Sequence, residues 1–439
     1  MTGQPVDPDR PLLPKAGASR DQLLLFGVMM AIAIGNTGLQ SVLPGIGRSL
    51  KLPDPMIALA FSLSAVLWSV AAPAWAKRID RLGAKQMVLI GLGGFVCSLL
   101  CCGLALAAGI VGMVSAGIAF AGFVAGRGLY GLFGAAAPPA AQALVVANTP
   151  RAQRTNALSL LASAFGLGTI VGPALAPFFI LPWIGLAGPA FVFALVGVGM
   201  FATVALLLPA GRAGVHLSGV AVADPAIGAE PSDPSLAEID ATGDGRVGLM
   251  DPRVLPWMIF GLVSGHAQAI AGQTMAFLII DRTHLSPALA QPLIGLVLMG
   301  GAVAALLAQW GVIPRLNLAP RALVLWGTGL AAAGCAGVAA AGDLHAIGVA
   351  FAIASLGFGL LRPGFTAGAS LAVGAEEQAA VAGQVTANNG FAFVFGPSAG
   401  ILLYGLWSPL PYLVCAGALV VTLAFGLRAL RPGSPALAR

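Results

Sequence analysis

Residues 120–177 read FAGFVAGRGLYGLFGAAAPPAAQALVVANTPRAQRTNALSLLASAFGLGTIVGPALAP, and this stretch indicates the fold. Two long apolar segments meet at a short basic turn, and the first carries a single arginine, Arg127. An arginine in lipid costs about 3 kcal/mol on insertion scales, so it persists only where it faces a bundle interior or a water-filled cavity. The second segment ends in Gly168-x-x-x-Gly172-Pro173, where glycines allow close backbone approach and proline bends a helix. The stretch predicts two membrane helices beside a polar pathway.

The composition of the whole chain extends this prediction. Of 439 residues, 58% are hydrophobic and 9% are charged, whereas a soluble domain carries about 25% charge. The apolar runs do not alternate with polar residues as the strands of a porin do, so we predict an all-α integral membrane protein. A span needs about 20 residues. Twelve segments qualify: 22–45, 56–76, 86–109, 115–147, 154–180, 187–209, 252–280, 290–313, 321–341, 345–373, 379–406 and 409–430.

A polar stretch rich in Pro, Asp, Glu, Ser and Gly divides the twelve transmembrane helices into two sets of six. Such a composition is typical of a linker and not of a domain. The predicted organisation is a cytoplasmic tail at 1–21, an N-terminal six-helix bundle at 22–209, a cytoplasmic linker at 210–251, a C-terminal six-helix bundle at 252–430 and a cytoplasmic tail at 431–439. The second half echoes the first, since a shift of 224 residues carries Gly172-Pro173 onto Gly396-Pro397.

The basic residues are distributed by membrane side. Seventeen of the 22 Lys and Arg residues fall on one predicted side, and three, Arg48, Lys51 and Arg282, fall on the other. The positive-inside rule then places both termini in the cytoplasm of a multi-pass protein of the inner (plasma) membrane. The net charge of +6 is therefore no sign of nucleic-acid binding. The five cysteines lie in apolar segments, so we expect neither a disulfide nor a metal site.

Residues 76–85, AKRIDRLGAK, carry a family resemblance. The segment resembles the signature loop of the major facilitator superfamily, Gly-x-x-x-Asp-Arg-x-Gly-(Arg/Lys)-(Arg/Lys), and it follows the second of twelve predicted spans. Four residues match: Asp80, Arg81, Gly83 and Lys85. Ala76 stands where the first glycine is expected, and Ala84 replaces one basic residue. The resemblance implies two six-helix bundles around a central solute site, with this loop latching a cytoplasmic gate.

Two further motifs bear on the branch of that superfamily. Arg127-x-x-x-Gly131 resembles the fourth-helix motif of proton-coupled members, and the Gly168 to Pro173 motif resembles the fifth-helix motif of the twelve-helix drug/proton antiporters. Three positions depart from the second pattern: Ala176, Pro177 and Ser159. The resemblance implies proton-coupled export. It also implies that five residues at the Gly-Pro sites of the two halves bend or pack for gating: Gly168, Gly172, Pro173, Gly396 and Pro397.

Polar side chains inside the predicted spans are candidates for substrate binding or coupling. They are Asn36, Gln40, Arg127, His266, Gln273, Arg362, Asn388 and Asn389. Membrane amides also bond neighbouring helices, so a purely structural role stays open for each amide. His266 is the one histidine deep within a span and titrates near neutrality, which makes it a candidate proton carrier beside Asp80 at the gate.

The charges predict the electrostatics of the site. None of the sixteen acidic residues lies near the middle of a predicted span, whereas two arginines do. A cavity lined in this way has a positive potential and attracts anionic solutes.

Three functions follow from the residues and the resemblance. The first is a proton-coupled exporter of small organic molecules, and the second is an importer or exchanger of organic anions. The third is a transport-inactive lipid-handling or sensor protein. We expect no enzymatic activity, no cofactor and no nucleotide motif, and as partners a small-molecule substrate, protons and the lipid bilayer around a monomer.

Overall fold

The computed structural model describes residues 20–149, 154–181, 184–209, 248, 250–316, 318–374 and 377–430. Regular structure in this part of the chain is helical, apart from one isolated bridge between Leu181 and Gly185. The prediction of an all-α protein is confirmed for this part of the chain. The predicted terminal tails and most of the predicted linker lie outside the described residues, except for positions 20, 21, 248, 250 and 251.

The first half of the described chain forms the helices α1 (Arg20–Ser49), α2 (Asp54–Ala76), α3 (Ile79–Leu82), α4 (Ala84–Ile110), α5 (Ala116–Phe133), α6 (Ala137–Ala147), α7 (Arg154–Leu175) and α8 (Gly188–Leu207). A 3-10 turn, Gly134–Ala136, joins α5 to α6, and the two helices together make the predicted fourth span. The break falls just before Pro138 and Pro139, which then lie in the first turn of α6, where the missing N–H costs no hydrogen bond.

The second half forms the helices α9 (Leu255–Thr283), α10 (Pro287–Leu306), α11 (Ile313–Leu316), α12 (Pro320–Ala340), α13 (Leu344–Leu371), α14 (Gln378–Leu406) and α15 (Leu410–Ala429). A π-helical stretch, Leu307–Val312, joins α10 to α11. Four of these helices, α9, α10, α12 and α15, have proline in the first turn, where the missing N–H costs no hydrogen bond.

Ten helices in the described chain are long and apolar enough to cross a membrane. The predicted fifth and seventh spans, α7 and α9, are not among these ten. The apolar part of the fifth span is Ala164–Phe179, which is short. Helix α9 carries several polar residues, among them His266, Gln268 and Gln273. The count of twelve spans therefore remains a prediction.

The two halves share an apolar core at one end of the molecule. We call the end that carries the first residues of α1 and α9 proximal, and the end that carries Ser49 and Thr283 distal. The core of the first half continues into the distal part of the second half through Met275, Ile294 and Tyr404. Residues of the proximal part of the second half, such as Trp257, pack in a separate cluster. The halves are thus held together distally.

Glycines set the closest helix contacts within each half. A Cβ atom at Gly168 would lie 2.6 Å from the carbonyl oxygen of Met30, so α7 packs directly on α1. Gly396 plays the same part on α14, where a Cβ would lie 2.8 Å from Cβ of Ala269 on α9. Small residues at such crossings let backbones approach closely.

The loop between α2 and α4 has a defined geometry. Gly83 has a φ of 84°, a left-handed conformation that glycine adopts without strain. The ammonium group of Lys85 donates a 2.9 Å hydrogen bond to the carbonyl oxygen of Ala205 and so binds the C-terminal end of α8. Arg81 is exposed, and the side chain of Asp80 lies outside the described residues. The gating role of this loop stays a prediction.

The contact between α7 and α1 gives a test of the packing. A Cβ at Gly172 would lie 2.5 Å from the carbonyl oxygen of Ile34, which is backbone and cannot move aside. We expect Gly172→Ala to cost about 1–3 kcal/mol of stability through overpacking, seen as a lower unfolding temperature in detergent. Gly199→Ala is the matched control, because nothing lies within 4 Å of its added Cβ. Equal melting of both variants would contradict the packing role.

Candidate functional site

A cavity of about 210 Å³ lies between the two halves. Helices α1 and α7 line it from the first half, and α9, α10, α13 and the π-helical stretch line it from the second. Its polar lining consists of Thr37, Gln40, Ser41, Thr169, Gln268, Gln273, Gln309, Ser355 and Arg362. The residues of α1 in this lining are spaced three and four apart, so α1 presents one face to the cavity.

The charge of the cavity comes from one residue. Among the described lining residues Arg362 is cationic and none is acidic, while Phe351 and Phe358 add apolar surface. The cavity is therefore positive, and its many amide and hydroxyl groups can donate or accept hydrogen bonds. This arrangement suits a small solute with an anionic group and an apolar body.

A pair of glutamines lies in the distal part of the cavity lining. The side-chain N–H of Gln40 on α1 donates a 2.7 Å hydrogen bond to the side-chain oxygen of Gln273 on α9. Next to this pair, Gln291 on α10 donates hydrogen bonds of 3.2 Å to the Ser41 carbonyl oxygen and 3.4 Å to its hydroxyl. Both contacts join the first half to the second.

An ionic cluster closes the distal end beyond the glutamines. The guanidinium of Arg48 at the end of α1 donates to the carboxylate of Asp281 on α9, with one contact of 3.1 Å, and to Asp54 at 2.9 Å. The Tyr404 hydroxyl on α14 donates to Asp281 at 2.5 Å. The guanidinium carbon of Arg48 also lies 5.2 Å from the ring centroid of Phe277, a cation–π distance.

Two contacts flank this axis. The hydroxyls of Ser62 on α2 and Ser398 on α14 lie 2.8 Å apart. On the other side α10 approaches α7 so closely that a Cβ at Gly295 would lie 2.7 Å from the carbonyl oxygen of Pro173. The distal end is thus sealed on the axis and on both flanks.

The seal follows the internal repeat of the chain. The on-axis pairs, Gln40 with Gln273 and Arg48 with Asp281, are both separated by 233 residues. The same shift of 233 carries Ser62 onto Gly295. The shift thus relates one residue of each flanking contact, and the two on-axis pairs share the same separation along the chain.

Comparison with known proteins identifies the family. A family model for the Major Facilitator Superfamily matches residues 25–397. The chain belongs to the major facilitator superfamily. No curated protein sequence matches the chain.

Solved structures of other facilitators share the fold. A bacterial homologue of the iron transporter ferroportin, in an inward-facing state, gives a TM-score of 0.68 at 14% identity, over 94% of this chain and 99% of that one. A bacterial homologue of the human lysosomal transporter Spinster, inward-facing and occupied, gives 0.66 at 15% identity, over 94% and 98%. The human organic anion transporter MFSD10 (TETRAN) gives 0.60 at 18% identity, over 94% and 100%. At these identities the likeness shows the fold. The family match makes this protein a membrane transporter.

Arg127 does not line the cavity of this facilitator, contrary to our expectation that both membrane arginines face it. Its side chain is 1% exposed, and its guanidinium carbon lies 4.5 Å from the ring centroid of Phe61 and 4.9 Å from that of Tyr130. One nitrogen donates a 3.0 Å hydrogen bond to the side-chain oxygen of Asn36, and Nε and Nη2 have no hydrogen-bond partner among the described residues. Aromatic faces stabilise this buried charge in place of a wet passage.

Four other predicted binding residues also lie outside the cavity lining. Asn36 is the hydrogen-bond partner of Arg127. The Nδ1 atom of His266 lies 2.8 Å from the carbonyl oxygen of Leu262, one turn earlier on α9. Asn388 donates a 3.0 Å hydrogen bond to the carbonyl oxygen of Met258 and ties α14 to α9. Asn389 is half-buried on the same helix. Asn388 therefore bonds a neighbouring helix, the structural role that the sequence left open for the amides. His266 contacts the backbone of its own helix.

Several residues of the site were not among the predictions. The sequence placed Arg48 on the outer side, and it gave no role to Asp281, Gln309 or Ser355. The common separation of 233 residues was a usable signal for the outer pair, since Gln40 and Gln273 were already candidates.

The flanking contact gives a test of the distal seal. Gly295→Ala places a methyl group 2.7 Å from a backbone oxygen of α7, so we expect the distal ends to stay apart. Spin labels at Met113→Cys and Arg282→Cys, both exposed at the distal end, report the separation. We expect a longer distance in Gly295→Ala and an unchanged one in Gly272→Ala, whose added Cβ meets nothing within 4 Å. An unchanged distance in Gly295→Ala would refute this picture of the seal.

Proposed function

We propose that this facilitator is a secondary active transporter of small organic anions that works by alternating access. The carrying observation is a cavity between the two halves that holds Arg362 and no acidic residue among its described lining. A guanidinium that lines a cavity can bind carboxylate, sulfonate or phosphate groups with paired, charge-assisted hydrogen bonds. An organic cation would meet the same charge as repulsion.

The size of the cavity limits the solute. Pockets for drug-sized ligands measure about 300–1,000 Å³, and this cavity measures about 210 Å³. The solute in this conformation is then smaller than a typical drug. The human organic anion transporter with the same fold is named for substrates of this charge, which is consistent with the proposal.

The orientation follows from the basic residues. We place both termini on the cytoplasmic side of the inner membrane, because seventeen of the 22 Lys and Arg residues lie in segments of that side. The distal end then faces outward, and the sealed state described here is closed to the outside. Export and import would both require the seal to open and the halves to rock about the cavity. We propose that one monomer suffices for this cycle.

A second candidate is proton-coupled export of other small organic molecules. The packing of Gly168 and Gly172 on α1 supports it, because these are the residues of the fifth-helix motif. The cavity offers no described carboxylate to carry the proton, and His266 lies outside the lining. Proton coupling in this second case would depend on groups outside the cavity, with Arg127 and His266 as the candidates.

Two permanently charged probes of similar size separate these functions. We expect purified protein in liposomes to take up benzenesulfonate and not phenyltrimethylammonium. Arg362→Gln should weaken benzenesulfonate binding roughly ten- to hundred-fold, the range expected for a lost charge-assisted hydrogen bond. Arg315→Gln, which removes an exposed arginine, is the control and should behave as wild type.

The opposite results would overturn the proposal. Uptake of phenyltrimethylammonium that survives in Arg362→Gln would remove the charge argument and favour the second candidate. Uptake of neither probe, with no thermal shift from benzenesulfonate, would leave a scaffold without anion transport.

A further inference from the structure

The Gln40–Gln273 pair lines the cavity and also joins the two halves at the distal seal. Gln40 and Gln273 both line the cavity, and their mutual hydrogen bond joins α1 to α9. Arg48 follows Gln40 by eight residues on α1, so the ionic cluster lies about 12 Å further along the axis. The pair is thus the inner tier of a two-tier seal.

The pair has hydrogen-bonding capacity to spare. A glutamine side chain offers two N–H donors and a carbonyl oxygen with two lone pairs. Within the described part of the chain, each of the two side chains makes a single hydrogen bond, which is the one that joins them. The remaining donors and acceptors are available to a solute in the cavity, which can exchange hydrogen bonds with the pair at little net cost.

The position of Arg362 fixes the direction in which a solute would lie. Gln273 is ten residues before the distal end of α9, about 15 Å, and Arg362 is eighteen residues from the distal start of α13, about 27 Å. The backbone of Arg362 therefore lies about 12 Å proximal of the backbone of Gln273. The two side chains reach across part of this distance. A solute bound to Arg362 by its anionic group points its other end at the glutamine pair.

We propose that the Gln40–Gln273 pair is the inner gate and the polar half of the binding site, and that it takes the far end of an organic anion that carries an amide group there. The solute opens the gate by replacing the bond between the two glutamines with bonds to itself. This inference rests on the proposed anion site at Arg362.

The outer tier does not replace the inner one. The side chains of Arg48 and Asp281 are 23% and 41% exposed, so water screens part of this ion pair. Loss of the inner hydrogen bond therefore shifts the halves towards distal opening. The ratio of open to closed molecules should rise roughly two- to twelve-fold when that bond is removed.

Spin-label distances between Met113→Cys and Arg282→Cys test the gate directly. The labels are attached to full-length protein in which Cys97 and Cys101 are replaced, because Cys102, Cys335 and Cys415 are buried. In the absence of solute, Gln40→Leu and Gln273→Leu should each lengthen the distance, and their combination should add little further. Gln268→Leu, the same change in the cavity on the same helix, should leave the distance as it is in the parent protein.

Two carboxylates of equal chain length test the solute. We expect 4-acetamidobutanoate and heptanoate both to raise the unfolding temperature through Arg362, and only 4-acetamidobutanoate to lengthen the distal distance. In Gln273→Leu we expect 4-acetamidobutanoate to cause no further change in the distal distance. The rise in unfolding temperature should persist in part.

The outcomes separate the two proposals. An equal response of the distal distance to both carboxylates, or no change in Gln40→Leu, overturns the gate and leaves the anion site standing. Absence of a thermal shift with either carboxylate overturns the anion site, and the role of the pair as its polar half falls with it.

Discussion

The two halves of this protein are joined where a helix meets its own repeat equivalent. Residues on a shared two-fold axis face their counterparts, so each on-axis position must be complementary to itself or must diverge. The amide of glutamine satisfies the first condition, because it donates and accepts, and Gln40 bonds Gln273. A charge cannot satisfy it, since two equal charges repel. The outer position has accordingly become arginine in one half and aspartate in the other, Arg48 and Asp281. The seal of the molecule depends on this constraint.

The two arginines inside the membrane illustrate different ways to hold a charge in a medium of low dielectric constant. Arg127 is enclosed by two aromatic faces and one amide in the interior of the first half. Arg362 lines a cavity that holds other polar groups and no described acid. A guanidinium of the first kind is part of the architecture, and one of the second kind can exchange partners. Only position within the fold distinguishes them.

The helices were predicted well because most of them are long apolar segments that the sequence shows directly. Each of the twelve predicted segments coincides with a long helix or with two helices joined by a short turn, with ends that differ by a few residues. The site was predicted in part. Gln40, Gln273 and Arg362 line the cavity, whereas Arg127, His266 and Asn388 bond within one half. In helices that are apolar on nearly every face, the position of a polar residue does not reveal which neighbour it will contact.

The sequence by itself determined the membrane class, the helices, the internal repeat and the family. These depend on quantities that are local or additive along the chain, namely apolar length, charge distribution and motif spacing. Tertiary structure alone decided which polar groups share the cavity, and it decided that α1 meets α9 in register at 233 residues. Those features depend on the rotation of each helix about its own axis and on how the halves are rocked against each other. Both are set by close packing at residues such as Gly172 and Gly295. Many apolar sequences would form similar helices, but only one arrangement of these helices satisfies the close contacts at the glycines.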